Sequence, residues 1–144
     1  MHALDVMALA ISEYEGSSMK DRNYRNNNPG NLRDSPMRLG KDEQGYCIFA
    51  NFTTGYLALL RELRFKFSGK TSTRITSDSS LLDFFLVYAP SADGNYPMLY
   101  ASFVADRLKL YGYAKAGVIT KLKDIWNDSE ALPWDSRLNS FLNL

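Results

Sequence analysis

Glu15 sits where a carboxyl group could do chemistry. Residues Leu4 to Glu15 carry helical periodicity: at about 100° per residue, Leu4, Met7, Ala8 and Ile11 fall on one face. Glu15 lands in the middle of that face at the helix end, and Gly16 follows as a stop signal. Glu13, two positions earlier, points the opposite way. Burial and the negative end of the helix dipole both push a carboxylate towards its protonated form. A glutamate held in that form is a general acid. The plainer alternative is a last-turn Glu that bends out to water.

The rare residues narrow the chemistry further. The chain has one Cys, Cys47, and one His, His2. An internal disulfide, a Cys–His or Ser–His nucleophile and a histidine zinc site are therefore not expected. Cys47 lies in the apolar run Tyr46-Cys47-Ile48-Phe49 and reads as a small buried hydrophobe. No Gly-rich phosphate loop is present. Catalysis, if any, falls to carboxylates supported by Tyr, Asn and Arg, with no cofactor and no metal expected.

At 144 residues the chain is long enough for one domain with a real core. Hydrophobic residues at 45% and charged residues at 23% fit an ordinary globular protein. The formal net charge is +1 with scattered charges, so no nucleic-acid surface is expected. No segment is long enough to span a membrane. The N-terminus lacks a basic region, and Asp5 interrupts its apolar stretch, so no signal peptide is expected. The expected site of synthesis is a cytoplasm.

The elements that must position Glu15 follow from the rest of the pattern. Ser17 to Arg38 is polar and contains Arg25-Asn26-Asn27-Asn28-Pro29-Gly30-Asn31-Leu32-Arg33, strong turn chemistry. Gly40 to Phe52 predicts a short hairpin. Thr53 or Thr54 is the expected cap of a second helix with Tyr56, Leu59, Leu60, Leu63 and Phe67 as its stripe. Ser77 or Asp78 is the expected cap of a third, over Leu81, Leu82, Phe84, Phe85 and Tyr88, ended by Pro90. Pro97 opens a fourth, with Leu99, Phe103, Val104, Leu108 and Leu110 as apolar positions. Val118 to Trp126 and Asp135 to Leu142 predict two short helices.

This order of segments resembles a known family. Glu15-Gly16 followed by the Arg-Asn-Asn-Asn-Pro-Gly-Asn-Leu-Arg block resembles the lysozyme-like domains of bacteriophage and prophage virion and lysis proteins, relatives of lytic transglycosylases. Asp42 with Gly45-Tyr46 and Phe49 resembles the family's hairpin, and Phe52 and Gly55 its next helix start. Tyr88-Ala89-Pro90, Asp93-Gly94-Asn95 and Tyr100 resemble its later Tyr-Ala-Pro and acidic-x-Asn segments. The resemblance covers roughly residues 5–108. Tyr96 departs from it, standing where relatives tend to have Thr.

The resemblance implies a mainly α, lysozyme-like fold over 1–144, with helices around a substrate cleft and a small β-hairpin. It implies cleavage of peptidoglycan glycan strands by a muramidase or a lytic transglycosylase, in phage cell-wall penetration or host lysis. Glu15 takes the place of the family's catalytic acid. The helix-face reading reaches the same residue separately. A hydrolase adds a second carboxylate, for which Asp42, Asp21 and Asp93 are candidates and Asp42 the best. A transglycosylase needs none, because the substrate's N-acetyl group assists and the same Glu returns as base. Tyr88 is either a core aromatic or a hydrogen-bonding partner of Glu15 or substrate. Asn27, Asn28 and Asn31 either shape the turn or hold sugar hydroxyls and acetamides, with the structural role favoured for Asn28. Asp93 and Asn95 either line the far wall of the cleft or make a turn.

The implied partners are glycan strands, together with a holin for release or other proteins of a virion. A glucosaminidase cutting the other glycosidic bond shares the chemistry. A non-catalytic structural or peptidoglycan-binding virion protein is the competing class, because a retained motif is not activity.

Overall fold

Helix α1, Ala3–Glu15, forms where the apolar periodicity predicts it. In the computed structural model, which describes residues 3–16, 22–67 and 75–125, this helix is buried on more than one face. Ala3, Leu4, Val6, Met7, Ala8, Ala10 and Ile11 are all buried. The alanines widen the expected stripe, because their small side chains admit close neighbours. Gly16 ends the helix with φ 98°, its N–H bonded to the Glu13 carbonyl at 3.2 Å.

The chain divides into two compact units, one spanning Ala8–Leu63. In this unit α1 is followed by α2, Arg22–Arg25, then strands β1, Gly40–Lys41, and β2, Cys47–Ile48, and the start of α3, Phe52–Phe67. The strands are antiparallel, with Gly40 opposite Ile48 and Lys41 opposite Cys47. The hairpin is thus where it is expected but only two residues deep on each strand. Helix α3 is capped by Asn51, not by Thr53 or Thr54. The Asn51 Oδ1 accepts from the Thr54 N–H at 2.8 Å and from its hydroxyl at 2.9 Å. Asn outranks Thr as an N-cap, and Thr54 is spent as a donor to it. Leu59, Leu63 and Phe67 of the α3 stripe are buried, whereas Tyr56 and Leu60 are half-buried.

The other unit is made by the described residues of Met1–Met7 and Arg64–Leu144. It holds α4, Leu81–Tyr88, a 3₁₀ turn, Ser91–Asp93, α5, Pro97–Leu110, and α6, Leu122–Ile125. Helix α4 starts at Ser80 rather than at Ser77 or Asp78. Ser80 Oγ accepts from the Asp83 N–H at 3.1 Å, and Asp83 Oδ2 accepts from the Ser80 N–H at 2.9 Å, a closed capping box. Four cap formers in a row, Ser77 to Ser80, hide that choice in the sequence.

Helix α5 packs on α4 and carries Pro97 in its first turn, as expected. Its buried side is Pro97, Tyr100, Ala101, Val104, Ala105 and Leu108. Leu99 and Leu110, expected on that side, are exposed. A Schellman motif ends the helix: Gly112, φ 97°, bonds to Lys109 O, and the Tyr113 N–H reaches back to Leu108 O at 3.0 Å.

Of the helix expected over Val118–Trp126, the described residues form only the four of α6, Leu122–Ile125. The preceding backbone is used to tie this segment to the entry of α4. Leu82 N–H bonds Val118 O at 2.9 Å, Leu122 N–H bonds Ser79 O at 2.8 Å and Lys123 N–H bonds Ser77 O at 3.0 Å. Trp126, Trp134 and the helix expected at Asp135–Leu142 lie outside the described residues. The described protein is mainly helical with one two-stranded sheet. Among the described residues no helix is long and apolar enough to cross a membrane.

Candidate functional site

The candidate site grows out of the asparagine block. In an antiparallel hairpin, successive residues of a strand bond to opposite sides. Tyr46 and Ile48 bond towards β1: Asp42 N–H to Tyr46 O at 2.8 Å and Leu39 N–H to Ile48 O at 2.8 Å. Cys47 and Phe49 face the other way, and the block takes up their groups. Cys47 N–H bonds Leu32 O at 2.9 Å, and Phe49 N–H bonds Asn26 O at 2.9 Å. The side chains complete the edge. Asn28 Nδ2 donates to Cys47 O at 3.0 Å, and Asn27 Nδ2 donates to Phe49 O at 3.1 Å. Both edges of β2 are therefore hydrogen-bonded, and the loop is fixed to the hairpin along its length.

Asn28 is fully buried and its side chain is committed to backbone. Besides Cys47, it donates to Leu32 O at 3.0 Å and accepts from the Leu32 N–H at 2.9 Å. It builds the loop and presents nothing to a ligand. Asn27 holds φ 53°, a left-handed conformation that Asn tolerates better than most residues. Its carbonyl lies so close to Gly55 of α3 that a Cβ there would sit 1.8 Å from the oxygen.

The far end of the block meets Glu15. Asn23, on α2, donates from Nδ2 to the Gly16 carbonyl and ties down the end of α1. Asn31, with φ 47°, donates from Nδ2 to Glu15 Oε2 at 3.1 Å. Glu15 is half-buried, whereas Glu13 is exposed, as their places on the helix predict. The Oδ1 atoms of Asn23 and Asn31 are buried with no hydrogen-bond partner among the described residues.

Asp42 is the hub of the hairpin turn. Its Oδ1 accepts from the N–H groups of Gln44 and Tyr46, both at 2.9 Å, and its Oδ2 accepts from Asn26 Nδ2 at 2.8 Å. The Tyr46 N–H and then the Asn26 amide hold this carboxyl below its ordinary value of 3.8, with help from Gln44 and the Arg22 charge. Arg22 Nε stands 4.0 Å from Oδ2. The Arg22 and Arg33 guanidinium groups lie over the Tyr46 ring, 3.9 and 4.2 Å from its centroid. Arg33 also bonds the Tyr46 hydroxyl at 2.9 Å. Burial pushes the Cys47 thiol up, in keeping with an inert core position.

A group with a depressed folded-state value stabilises the protein above its unfolded value and stops doing so as pH falls through the folded one. Asp42→Asn is therefore expected to lower the melting temperature at neutral pH. The gap between wild type and variant is expected to close as pH falls below about 4. Melting curves from pH 7 to pH 2 check this; a gap that stays constant over the range would remove Asp42's charge from the turn's stability.

Beside Asp42 lies an open depression of about 420 Å³ with walls of Arg25, Asn26, Asp42, Glu43 and Gln44. It is a polar surface able to meet hydroxyl and amide groups. Among the described residues no three His, Cys, Asp or Glu side chains are grouped to hold a metal ion.

Tyr88, Asp93 and Asn95 belong to the other unit. Tyr88 is half-buried in an aromatic cluster, stacked on Phe84 at 5.4 Å and edge-on to Phe85 and Tyr100 at 6.0 and 6.3 Å. Asp93 closes the 3₁₀ turn, and Asn95 donates to Pro90 O at 3.4 Å, so that bond shapes the loop after α4. Asp21 lies outside the described residues.

The structure thus brings Glu15 and Asn31 together, and Asp42 together with Asn26. Sequence reasoning passes over Asn23, Asn26 as a partner of Asp42, and the close approach of the block at Gly55. A signal for that approach is a glycine inside a helix that otherwise reads as a good apolar stripe. Comparison with protein-family models, with curated proteins and with solved structures gives no match to this chain.

Proposed function

We propose that the protein cleaves the glycan strands of bacterial peptidoglycan, with Glu15 as general acid, on a lysozyme-like fold. The observation that carries this reading is the setting of Glu15: a half-buried carboxyl at the end of α1, contacted by an amide from the asparagine block. Glu15 would protonate the oxygen of the leaving sugar, the step that a glycosidic bond requires. The polar depression beside Asp42 suits a ligand rich in hydroxyls and acetamides.

Between the two chemical routes, the state of Asp42 favours a lytic transglycosylase. Both its oxygens are taken up by donors of its own turn and by Asn26. A carboxylate so occupied is a poor nucleophile and a poor base for water. In the route without it, the substrate's N-acetyl group meets the charge on the sugar, and Glu15 returns as base to form an anhydro sugar. Phage cell-wall penetration or host lysis is the setting that goes with this activity.

Digestion of purified peptidoglycan, read by mass spectrometry, tests the reading. Anhydro-muropeptides are the expected product. Reducing-end muramic acid would make the protein a muramidase, and reducing-end glucosamine a glucosaminidase. No soluble product from walls of several species would overturn the enzyme reading and leave a structural or glycan-binding protein.

A further inference from the structure

Resting on the reading of Glu15 as the acid, we propose that Asn31 is its positioning residue, a neutral amide that serves Glu15 in both of its protonation states. Two independent features of position 31 converge on this. The first is the backbone. At φ 47° the position favours Gly, Asn or Asp over every other residue. The second is the contact. Nδ2 donates to Glu15 Oε2 at 3.1 Å, within hydrogen-bond range for an amide and a carboxylate. Gly would meet the backbone demand and leave Glu15 without this donor. Asp would set a second negative charge against the carboxylate. Of the three, Asn alone satisfies both.

The other half of the amide supplies the rest of the argument. Asn31 Oδ1 is buried and has no hydrogen-bond partner among the described residues, so no bond to them holds the amide in one orientation. A half-turn about the last side-chain bond exchanges one unpaired atom for another and brings an acceptor to Glu15. Ionised Glu15 then takes a hydrogen bond from Nδ2, and protonated Glu15 gives one to Oδ1. A group that acts first as acid and then as base needs a partner of this kind. The proton passes from Glu15 to the leaving oxygen and none passes through Asn31. Asn31 thus acts on the carboxyl and not on the sugar.

The backbone that singles out Asn also provides the clean deletion. Asn31→Gly keeps the left-handed conformation and removes the amide, and Asn31→Asp keeps the shape and adds charge. The Glu15 carboxyl is to be followed by 13C NMR titration in wild type, Asn31→Gly and Asn31→Asp. Asn31→Gly removes the donor of the ionised form and the acceptor of the protonated one, and because the bond to the charged carboxylate is the stronger of the two, the midpoint moves to higher pH; the added charge moves it further in Asn31→Asp. The charged groups on neighbouring segments, Glu13, Arg22, Arg25 and Arg33, are common to all three proteins. In peptidoglycan digestion, Asn31→Gly is expected to lower kcat by about 10- to 100-fold with KM little changed.

Identical titrations in all three folded proteins would overturn the proposal, as would a loss confined to KM, which would make Asn31 a sugar contact. Failure of the parent reading looks different. Wild type would then release no product while the titration midpoints still move, or Glu15→Gln would cleave as wild type does.

Discussion

Glu15→Gln is expected to reduce release of soluble muropeptides to background while leaving the fold and glycan binding intact. The substitution is close to isosteric, and the Gln side-chain oxygen can still accept from Asn31 Nδ2, so α1 and the asparagine block keep their contact. What is lost is the transferable proton. General acid catalysis contributes about 100- to 10,000-fold. If Glu15 also returns as base, one substitution removes both steps, and the loss lies at or beyond the upper end. Glu13→Gln is the matched control. It removes a carboxylate from the same helix, two residues away, on its exposed side, and cleavage is expected to stay within about twofold of wild type, as for an ordinary surface change. Rates on purified peptidoglycan, with circular dichroism and glycan pull-down, separate the outcomes. Retained cleavage by Glu15→Gln would end the general-acid reading. An equal loss in both variants would point to helix damage instead.

The part of this site that was legible in the sequence is the part that depends on one segment at a time. Glu15 lies on one short helix, so its face and its stop at Gly16 follow from periodicity and turn chemistry alone. The asparagine block is legible as a turn for the same reason. Its internal division of labour is not. Asn26, Asn27 and Asn28 look alike in the sequence, yet one bonds a carboxylate and the others two different carbonyls of the hairpin. Those partners are 16 to 22 residues away, and strand alternation decides which asparagine meets which. Asp42 shows the same limit. An acidic residue before a Gly-aromatic pair reads as a candidate second carboxylate, and the donors that surround its oxygens, from Gln44, Tyr46 and Asn26, are not visible there. The helix caps failed for a local reason: where several cap formers stand together, as at Asn51 to Thr54 or Ser77 to Ser80, composition does not choose among them.

Gly55→Ala is expected to be strongly destabilising, and the sign is the informative part. Gly55 lies inside helix α3, where replacing Gly by Ala should stabilise by about 1 kcal/mol on propensity alone. Against this stands the Asn27 carbonyl, 1.8 Å from the position of the new Cβ, with Pro29 Cδ at 3.0 Å. The obstacle is backbone, and it cannot swing aside as the end of a side chain can. Asn27 is held by its own N–H to Tyr24 O and by Nδ2 to Phe49 O, and Asn28 beside it is bound into the buried core of the loop. Relief requires the whole asparagine block to withdraw from α3. The cost is set at the upper end of overpacking, about 3 kcal/mol or more, which outweighs the propensity gain. The melting temperature is then expected to fall by roughly 10 °C. Gly40→Ala, in β1 with nothing among the described residues within 4 Å of the new Cβ, is the control expected to stay within about 0.5 kcal/mol of wild type. A rise in melting temperature for Gly55→Ala would mean that α3 and the block do not approach as closely as described. The expected fall carries a second consequence. The block that must withdraw from α3 also carries Asn31 to Glu15, so Gly55→Ala should lose cleavage below the melting point as well. That would join a glycine of α3 to the carboxyl of Glu15 through a single loop.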